Sequence, residues 1–277
     1  MSAAGKPPPR FPLRLDRLDS PAQRPGSSTG MSQPPPLLRP QRPLHEAALE
    51  QSRRSMPVGL GLDSHQVRER MVVRLRTQGL RDERVLAALR AVPRHAFVDT
   101  ALANQSYEDT SLPIGLGQTI SKPSVVARMI ELLLAPHALG APLKLLEIGT
   151  GCGYQAALLA LLARSVVSIE RLKPLHDKAR ENLAPLGLHA LRLVYGDGRL
   201  GHAPNAPYDG IIAAAGGDDL PAAWLEQLAP GGRLVAPMHD AAAGGQVLVV
   251  CDRLADGSLQ RRNHEAVRFV PLKSGTD

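Results

Sequence analysis

From about residue 63 onward the chain alternates between two hydrophobic rhythms. Apolar residues at three-and-four spacing predict helices over His65 to Leu75, Asp82 to Val92, Ser124 to Leu134, Tyr154 to Leu162, Pro174 to Leu183 and Pro221 to Leu228. Short apolar runs bounded by turn formers predict strands at Leu143 to Ile148, Val166 to Glu170, Leu191 to Tyr195, Tyr208 to Ala213, Arg233 to Met238, Gln246 to Leu254 and Glu265 to Val270. The segment from Phe97 to Ser111 has no strong period. Residues 63–111 therefore read as a helical subdomain and 112–277 as an α/β core. Strand and helix alternate with short connections, which implies a doubly wound, mainly parallel sheet covered on both faces. Only brief turns separate the last strands, so an antiparallel C-terminal strand is expected.

One stretch resists both rhythms. Leu112-Pro113-Ile114-Gly115-Leu116-Gly117-Gln118-Thr119-Ile120-Ser121-Lys122-Pro123 carries two glycines and two prolines. That composition predicts no regular element through it, yet Ile114, Leu116 and Ile120 are too apolar for a loop facing only water. A packed loop is expected. On residue type alone, Ser121 or Ser124 is a capping hydroxyl for the helix that follows.

The candidate chemistry gathers at predicted strand ends. Leu145-Leu146-Glu147-Ile148-Gly149-Thr150-Gly151-Cys152-Gly153 runs from a strand into three alternating glycines, which permit a sharp turn and close approach to a ligand. Glu170 lies 19 residues beyond Gly151, near the separation at which an acid reaches ribose hydroxyls. Asp197, between Gly196 and Gly198, is placed either to meet an adenine amino group or to form an ordinary Asx turn. Gly151-Cys152-Gly153-Tyr154-Gln155-Ala156 also fits a dinucleotide loop, so NAD stays open on this motif alone. Glu147 weighs against it, because its charge disfavours a nearby pyrophosphate and favours a cationic amine or its bound water. Adenosine carrying a charged amino-acid moiety, as in S-adenosylmethionine, is the ligand so implied.

Composition refines this picture. Of the formal charge of +7, residues 1–62 carry +5, from nine Lys/Arg against four Asp/Glu, together with 12 of the 25 prolines. The basicity belongs to that Pro/Arg-rich extension, which is expected to be disordered because it cannot bury enough apolar surface. It contains no apolar run of signal-peptide length and the chain has no membrane-length run, so export and membrane insertion are not expected. Polyanion binding by the extension is an alternative role. Aromatic residues make up only 3%, which argues against a base-stacking nucleic-acid surface. The two cysteines, Cys152 and Cys251, lack pair spacing, which suits a reduced cytoplasmic protein. No histidine pair, His202 and His239 included, has metal-ligand spacing, and no metal is expected.

Taken together, Leu112 to Pro123, Leu146 to Tyr154, Gly196-Asp197-Gly198, Pro230-Gly231-Gly232-Arg233-Leu234-Val235 and Ala266 to Leu272 resemble the bacterial protein-L-isoaspartate O-methyltransferases, class I S-adenosylmethionine-dependent enzymes with a Rossmann-like sheet. Ala91 to Asp99 is similar to the helical part of that family. The resemblance covers about residues 64 to 273. It implies methyl transfer from S-adenosylmethionine to the free α-carboxylate of L-isoaspartyl residues in damaged proteins, by a monomer acting on isoaspartyl peptides. It places Ser121 at the active site, which displaces the capping reading, and it adds Gln118, Thr119 and Ile120 to a cofactor set of Glu147, Gly149, Gly151, Gly153, Glu170, Asp197 and Gly198. Asp218 and Asp219 depart from the family pattern and are expected to border the substrate mouth. A methyltransferase for a small molecule or RNA on the same fold is the alternative.

Overall fold

The computed structural model describes residues 65–277. The extension 1–62, with its expected disorder, lies outside the described residues. Helix α1 (His65–Thr77) buries Met71, Val72 and Leu75, and α2 (Glu83–Ala91) buries Val85, Leu86, Ala88 and Leu89. Asp82 caps α2: its carboxylate accepts the Arg84 N–H at 2.9 Å, satisfying a donor that the first helical turn leaves free. Two short 3-10 turns, Arg94–Phe97 and Thr100–Gln105, occupy the segment that lacked a period.

The stretch expected to hold no regular element is instead a hairpin. Strands β1 (Leu112–Gly115) and β2 (Gln118–Ile120) pair antiparallel, with Leu112 opposite Ile120 and Pro113 opposite Thr119. Gly115, Leu116 and Gly117 turn the chain at φ of 97°, 53° and 69°. Two glycines make such a left-handed tip accessible, and Leu116 adopts the same sense between them. Helix α3 (Pro123–Leu134) follows, and its first turn corrects the capping expectation. Neither Ser121 nor Ser124 caps it; the Asp109 carboxylate accepts the Ser124 N–H at 2.9 Å. Lys122 stands at the cap position and makes no side-chain cap bond.

The main sheet has seven strands in the order β5-β4-β3-β6-β7-β8-β9. They are β3 (Lys144–Ile148), β4 (Ser165–Glu170), β5 (Leu191–Tyr195), β6 (Tyr208–Ala213), β7 (Leu228–Asp240), β8 (Gly245–Arg253) and β9 (Leu259–Val267). The first five pair in parallel, and β8 runs antiparallel to both of its neighbours. Strand β7 is longer than its apolar run because Pro230-Gly231-Gly232, turn formers by residue type, lies within it. The register with β6 breaks there, between Tyr208 and Gly210. Helices α4 (Tyr154–Ala160), α5 (Lys173–Leu183) and α6 (Ala222–Gln227) complete the connections.

Two apolar clusters fill the space on either side of the sheet. Leu145, Val166 and Ile212 join the larger one with α1 to α5; Leu146, Val167 and Ile211 join the other with Trp224. Neighbouring strand residues thus enter opposite layers, as the pleat requires. From β3 the chain winds out through β4 to β5, then returns to the far side of β3 as β6. The carboxyl ends of β3 and β6 are therefore the topological switch point, where an open α/β sheet leaves a crevice.

Gly210 on β6 lies directly under Leu133 of α3. A Cβ added there would lie 2.7 Å from Leu145 Cδ2 and 3.0 Å from Leu133 Cδ1, both on fully buried side chains. The substitution Gly210→Ala is expected to lower stability by about 1–3 kcal/mol through overpacking. Thermal unfolding of the variant against the parent measures it, and an unchanged midpoint contradicts that account.

Candidate active site

At the switch point β3 gives way to the glycine loop. Gly149, Gly151 and Gly153 adopt φ of 89°, 57° and 95°, a run of left-handed positions that side-chain-bearing residues rarely sustain. The turn is fastened to the next strand, since the N–H groups of Gly149 and Thr150 both donate to the Ile169 carbonyl, at 2.8 and 3.1 Å. Glu170 completes the clasp. One carboxylate oxygen accepts the Gly151 N–H and the other accepts the Leu172 N–H, each at 2.9 Å. Each oxygen keeps lone-pair capacity for a further donor such as a sugar hydroxyl.

A cavity of about 660 Å³ opens above this loop. Of the residues singled out from sequence, Gln118, Thr119, Ile120, Ser121, Gly149, Gly151, Glu170 and Gly198 line it. The hairpin forms one wall and meets the loop directly: Ile114 Cδ1 would stand 3.2 Å from a Cβ at Gly151. The Ser121 hydroxyl makes no hydrogen bond among the described residues, while its carbonyl accepts from Arg94 Nη2 at 2.7 Å. Gly198 permits a close approach of another kind, because a Cβ there would fall 2.5 Å from Ile148 Cγ2.

Three expected site residues stand outside the lining. Gly153 caps α4, and a Cβ there would meet Leu183 Cδ1 at 2.8 Å, so its role is the turn itself. Asp197 adopts the Asx geometry: one oxygen accepts the Arg199 N–H at 2.8 Å and the other accepts the Gly275 N–H at 2.7 Å. Glu147 lies beneath the loop, fully buried. Strand register sets it opposite Ser168, whose hydroxyl donates to Glu147 and also meets Thr150 Oγ1 at 2.6 Å. The other Glu147 oxygen has no hydrogen-bond partner.

Burial and the nearby Glu170 charge push the Glu147 carboxyl up to about 8, against the lowering effect of Ser168 and the neighbouring amide of Gln155. Cys152, in the loop itself, is buried and its thiol is pushed up to about 11, which makes it a packing residue. Asp218 and Asp219 do not line the cavity, and Asp219 pairs with Arg261 at 3.0 Å. Among the described residues no group of three or more His, Cys, Asp and Glu side chains is arranged to hold a metal ion.

The chain's last residues also reach the site, which local sequence patterns did not indicate. Val270 to Lys273 and Asp277 line the cavity. Asp277 pairs with Arg171 at 2.7 Å, and its backbone exchanges hydrogen bonds with Arg171 and Lys173 at 3.0 and 2.9 Å. The only signal upstream was the run Ala266 to Leu272, which gave a resemblance and not a location.

Glu147 provides a test by titration. Its folded-state value lies above the ordinary carboxyl value of 4.5, so the native state retains a proton that the unfolded chain releases. Stability is therefore fully present below about pH 4.5 and is lost as pH rises toward about 8. Unfolding measured over that window in the ligand-free protein is expected to show a loss approaching about 1.4 kcal/mol per pH unit, absent in Glu147→Gln. The same slope in both proteins assigns it to other groups.

Comparison with known proteins agrees with this geometry. The family profile described as protein-L-isoaspartate(D-aspartate) O-methyltransferase matches residues 66–277. A protein-L-isoaspartate O-methyltransferase of Methylibium petroleiphilum is 73% identical over 277 residues, all of both chains. One from Leptothrix cholodnii is 63% identical over 270 residues, 96% of this chain and 94% of that one. Among solved structures, a protein-L-isoaspartate O-methyltransferase superposes with a TM-score of 0.66 at 28% identity, covering 75% of this chain and 66% of the other. A Plasmodium falciparum β-aspartate methyltransferase in complex with S-adenosyl-L-homocysteine gives 0.65 at 23% identity over 73% and 96%, a likeness of fold. With the matching profile spanning nearly all of the described residues, the chain belongs to the protein-L-isoaspartate(D-aspartate) O-methyltransferase family.

Proposed function

We propose that this protein transfers the methyl group of S-adenosylmethionine to the free α-carboxylate of L-isoaspartyl residues in damaged proteins, and that Ser121 orients the acceptor. The observation that carries this reading is one cavity shared by the glycine loop and the Gln118 to Ser121 strand. One part has the geometry to receive a nucleoside; the other presents a hydroxyl free to donate to a carboxylate.

The residues present suit that donor. Glu170 has lone pairs left over from its backbone clasp for ribose hydroxyls, and the Gly149 to Gly151 backbone leaves room for close approach. The unpartnered oxygen of Glu147 offers a buried counter-charge, since a cationic amine nearby favours its ionised form. Asp197 contributes by holding the Gly198 turn and the Gly275 backbone at the cavity edge. Bound there, the sulfonium supplies the methyl group.

The chain's own task is alignment. An isoaspartyl carboxyl titrates near pH 4, so it is ionised at neutral pH and needs no general base. Its oxygen forms the new bond to the methyl carbon as the carbon–sulfur bond breaks, leaving a methyl ester and a neutral thioether. Holding oxygen, carbon and sulfur in line is a proximity effect worth roughly 7–11 kcal/mol in favourable cases. Opposite charges cancel during the step, so the apolar walls of Ile114, Leu116 and Ile120 favour it by excluding water. The ester then closes without the enzyme to a succinimide, which opens partly to normal aspartate. A single chain supplies every group used here, so activity is expected of a monomer. Cys152 and Cys251 are free and buried, in keeping with a cytoplasmic setting.

Labelled methyl transfer to an isoaspartyl peptide, with none to its aspartyl counterpart, is the expected result; equal labelling of both rejects the acceptor. For Ser121→Ala, turnover is expected to fall about 10- to 100-fold while the cofactor dissociation constant changes little. Asp197→Ala is expected to act the other way, weakening cofactor binding more than turnover at saturation, as titration calorimetry with S-adenosyl-L-homocysteine would show.

A further inference from the structure

Arg94 is a fully buried arginine whose hydrogen bonds, among the described residues, reach no carboxylate; Asp109 acts on it only as a nearby charge. Taking a guanidinium out of water is costly, and usually an acid offsets the cost. Here the compensation comes from two backbone carbonyls and a ring, with the Asp109 charge nearby and Nη1 left without a hydrogen-bond partner. Nε donates to the Ser106 carbonyl at 2.8 Å, Nη2 donates to the Ser121 carbonyl at 2.7 Å, and the guanidinium carbon lies 4.8 Å from the centre of the Tyr154 ring. Burial lowers its affinity for the proton, yet guanidinium keeps its charge at neutral pH.

Those partners belong to different functional parts. Ser121 follows β2 and lines the cavity from the hairpin side; Tyr154 opens α4 and lines it from the glycine-loop side. Ser106 ends the second 3-10 turn of the helical part, and its own hydroxyl is anchored to the Ala103 carbonyl at 2.6 Å. Arg94 therefore joins the segment carrying the acceptor-side hydroxyl to the segment that follows the cofactor loop. The fork geometry of guanidinium allows both carbonyl bonds at once, whereas one ammonium or one amide cannot span them in the same way.

We propose that Arg94 is a positioning residue for methyl transfer: by gripping the Ser121 carbonyl while resting on Tyr154, it sets the Ser121 hydroxyl relative to the methyl donor. This rests on the role assigned to Ser121 above. Arg94 does not line the cavity, so it acts on turnover through the segments it holds, Ser121 first among them.

A double-mutant cycle in the full-length protein tests it, with Arg94→Lys and Arg94→Gln each made alone and with Ser121→Ala. Turnover on an isoaspartyl peptide, the dissociation constant for S-adenosyl-L-homocysteine and the unfolding midpoint are measured for each. Arg94→Lys is expected to lower kcat about 10- to 100-fold, the scale of a misplacement near 1 Å, with cofactor affinity nearly unchanged. In the Ser121→Ala background the same change is expected to lower kcat by less than about threefold, because the group it positions is gone. Equal losses in both backgrounds overturn the proposal and leave Arg94 as a fold residue. If Ser121→Ala alone turns over like the parent, the reading of Ser121 fails and this inference with it, an outcome distinct from equal losses. Should the lysine variant not fold, Arg94→Gln, neutral and closer to the packing of the site, carries the same cycle; failure of both to fold overturns a positioning role in favour of a structural one.

Discussion

The hydrogen bond from the Gly151 N–H to the Glu170 carboxylate ties the end of β3 to the end of β4, and the geometry of the site depends on it. Three glycines in left-handed conformations give the loop freedom to turn, but freedom alone does not give a shape. Glu170 and the Ile169 carbonyl take up three consecutive N–H groups, at 149, 150 and 151, so the loop is held in one arrangement. The second Glu170 oxygen holds Leu172 and so sets the start of α5. Floor and side of the cavity are thereby built from one carboxylate.

Two costly groups flank the cavity that this clasp supports. Glu147 is buried with an unpartnered oxygen, and Arg94 is buried with no acid hydrogen-bonded to it among the described residues. Elsewhere charges sit in ordinary pairs, such as Arg233 with Asp252 and Arg84 with Asp82. Buried polar groups left incompletely satisfied are destabilising by about 1–3 kcal/mol each; others lie at Arg68, His137, His202 and Arg253, away from the cavity, whereas these two flank it. One lies under the glycine loop. The other grips the Ser121 segment, which lines the cavity from the hairpin side.

Much of the architecture was readable along the chain. Strands at Leu191–Tyr195 and Tyr208–Ala213 match the expected bounds, and the other core strands agree within a few residues at most ends, because buried strands carry an apolar run and the connecting glycines and prolines mark where it stops. Short-range signals failed where pairing partners decide the conformation. Pro113 and Gly115 argued against regular structure, yet β1 and β2 pair with one another and stack on the glycine loop. Pro230 to Gly232 likewise sit within β7, as an irregularity between Leu228 and Arg233, both of which pair with β6. Ser121 was chemically able to cap α3, but Asp109, 15 residues before Ser124, accepts the N–H of that first turn, and Ser121 lines the cavity.

The sequence by itself determined the order of elements, the glycine turn, the acid 19 residues beyond it and the family signature, all of which are local in the chain or recur at set spacing. Tertiary structure alone decided that Glu147 lies beneath the cavity and not in its wall, that Asp197 holds Gly275, that residues 270–277 return to the cofactor crevice, and that Arg94 spans Ser121 and Tyr154. The reason is physical: periodicity records which side of an element is buried, whereas a buried charge is stabilised by whichever groups the fold brings to it. For Arg94 those groups are 12, 27 and 60 residues away, and no local pattern names them.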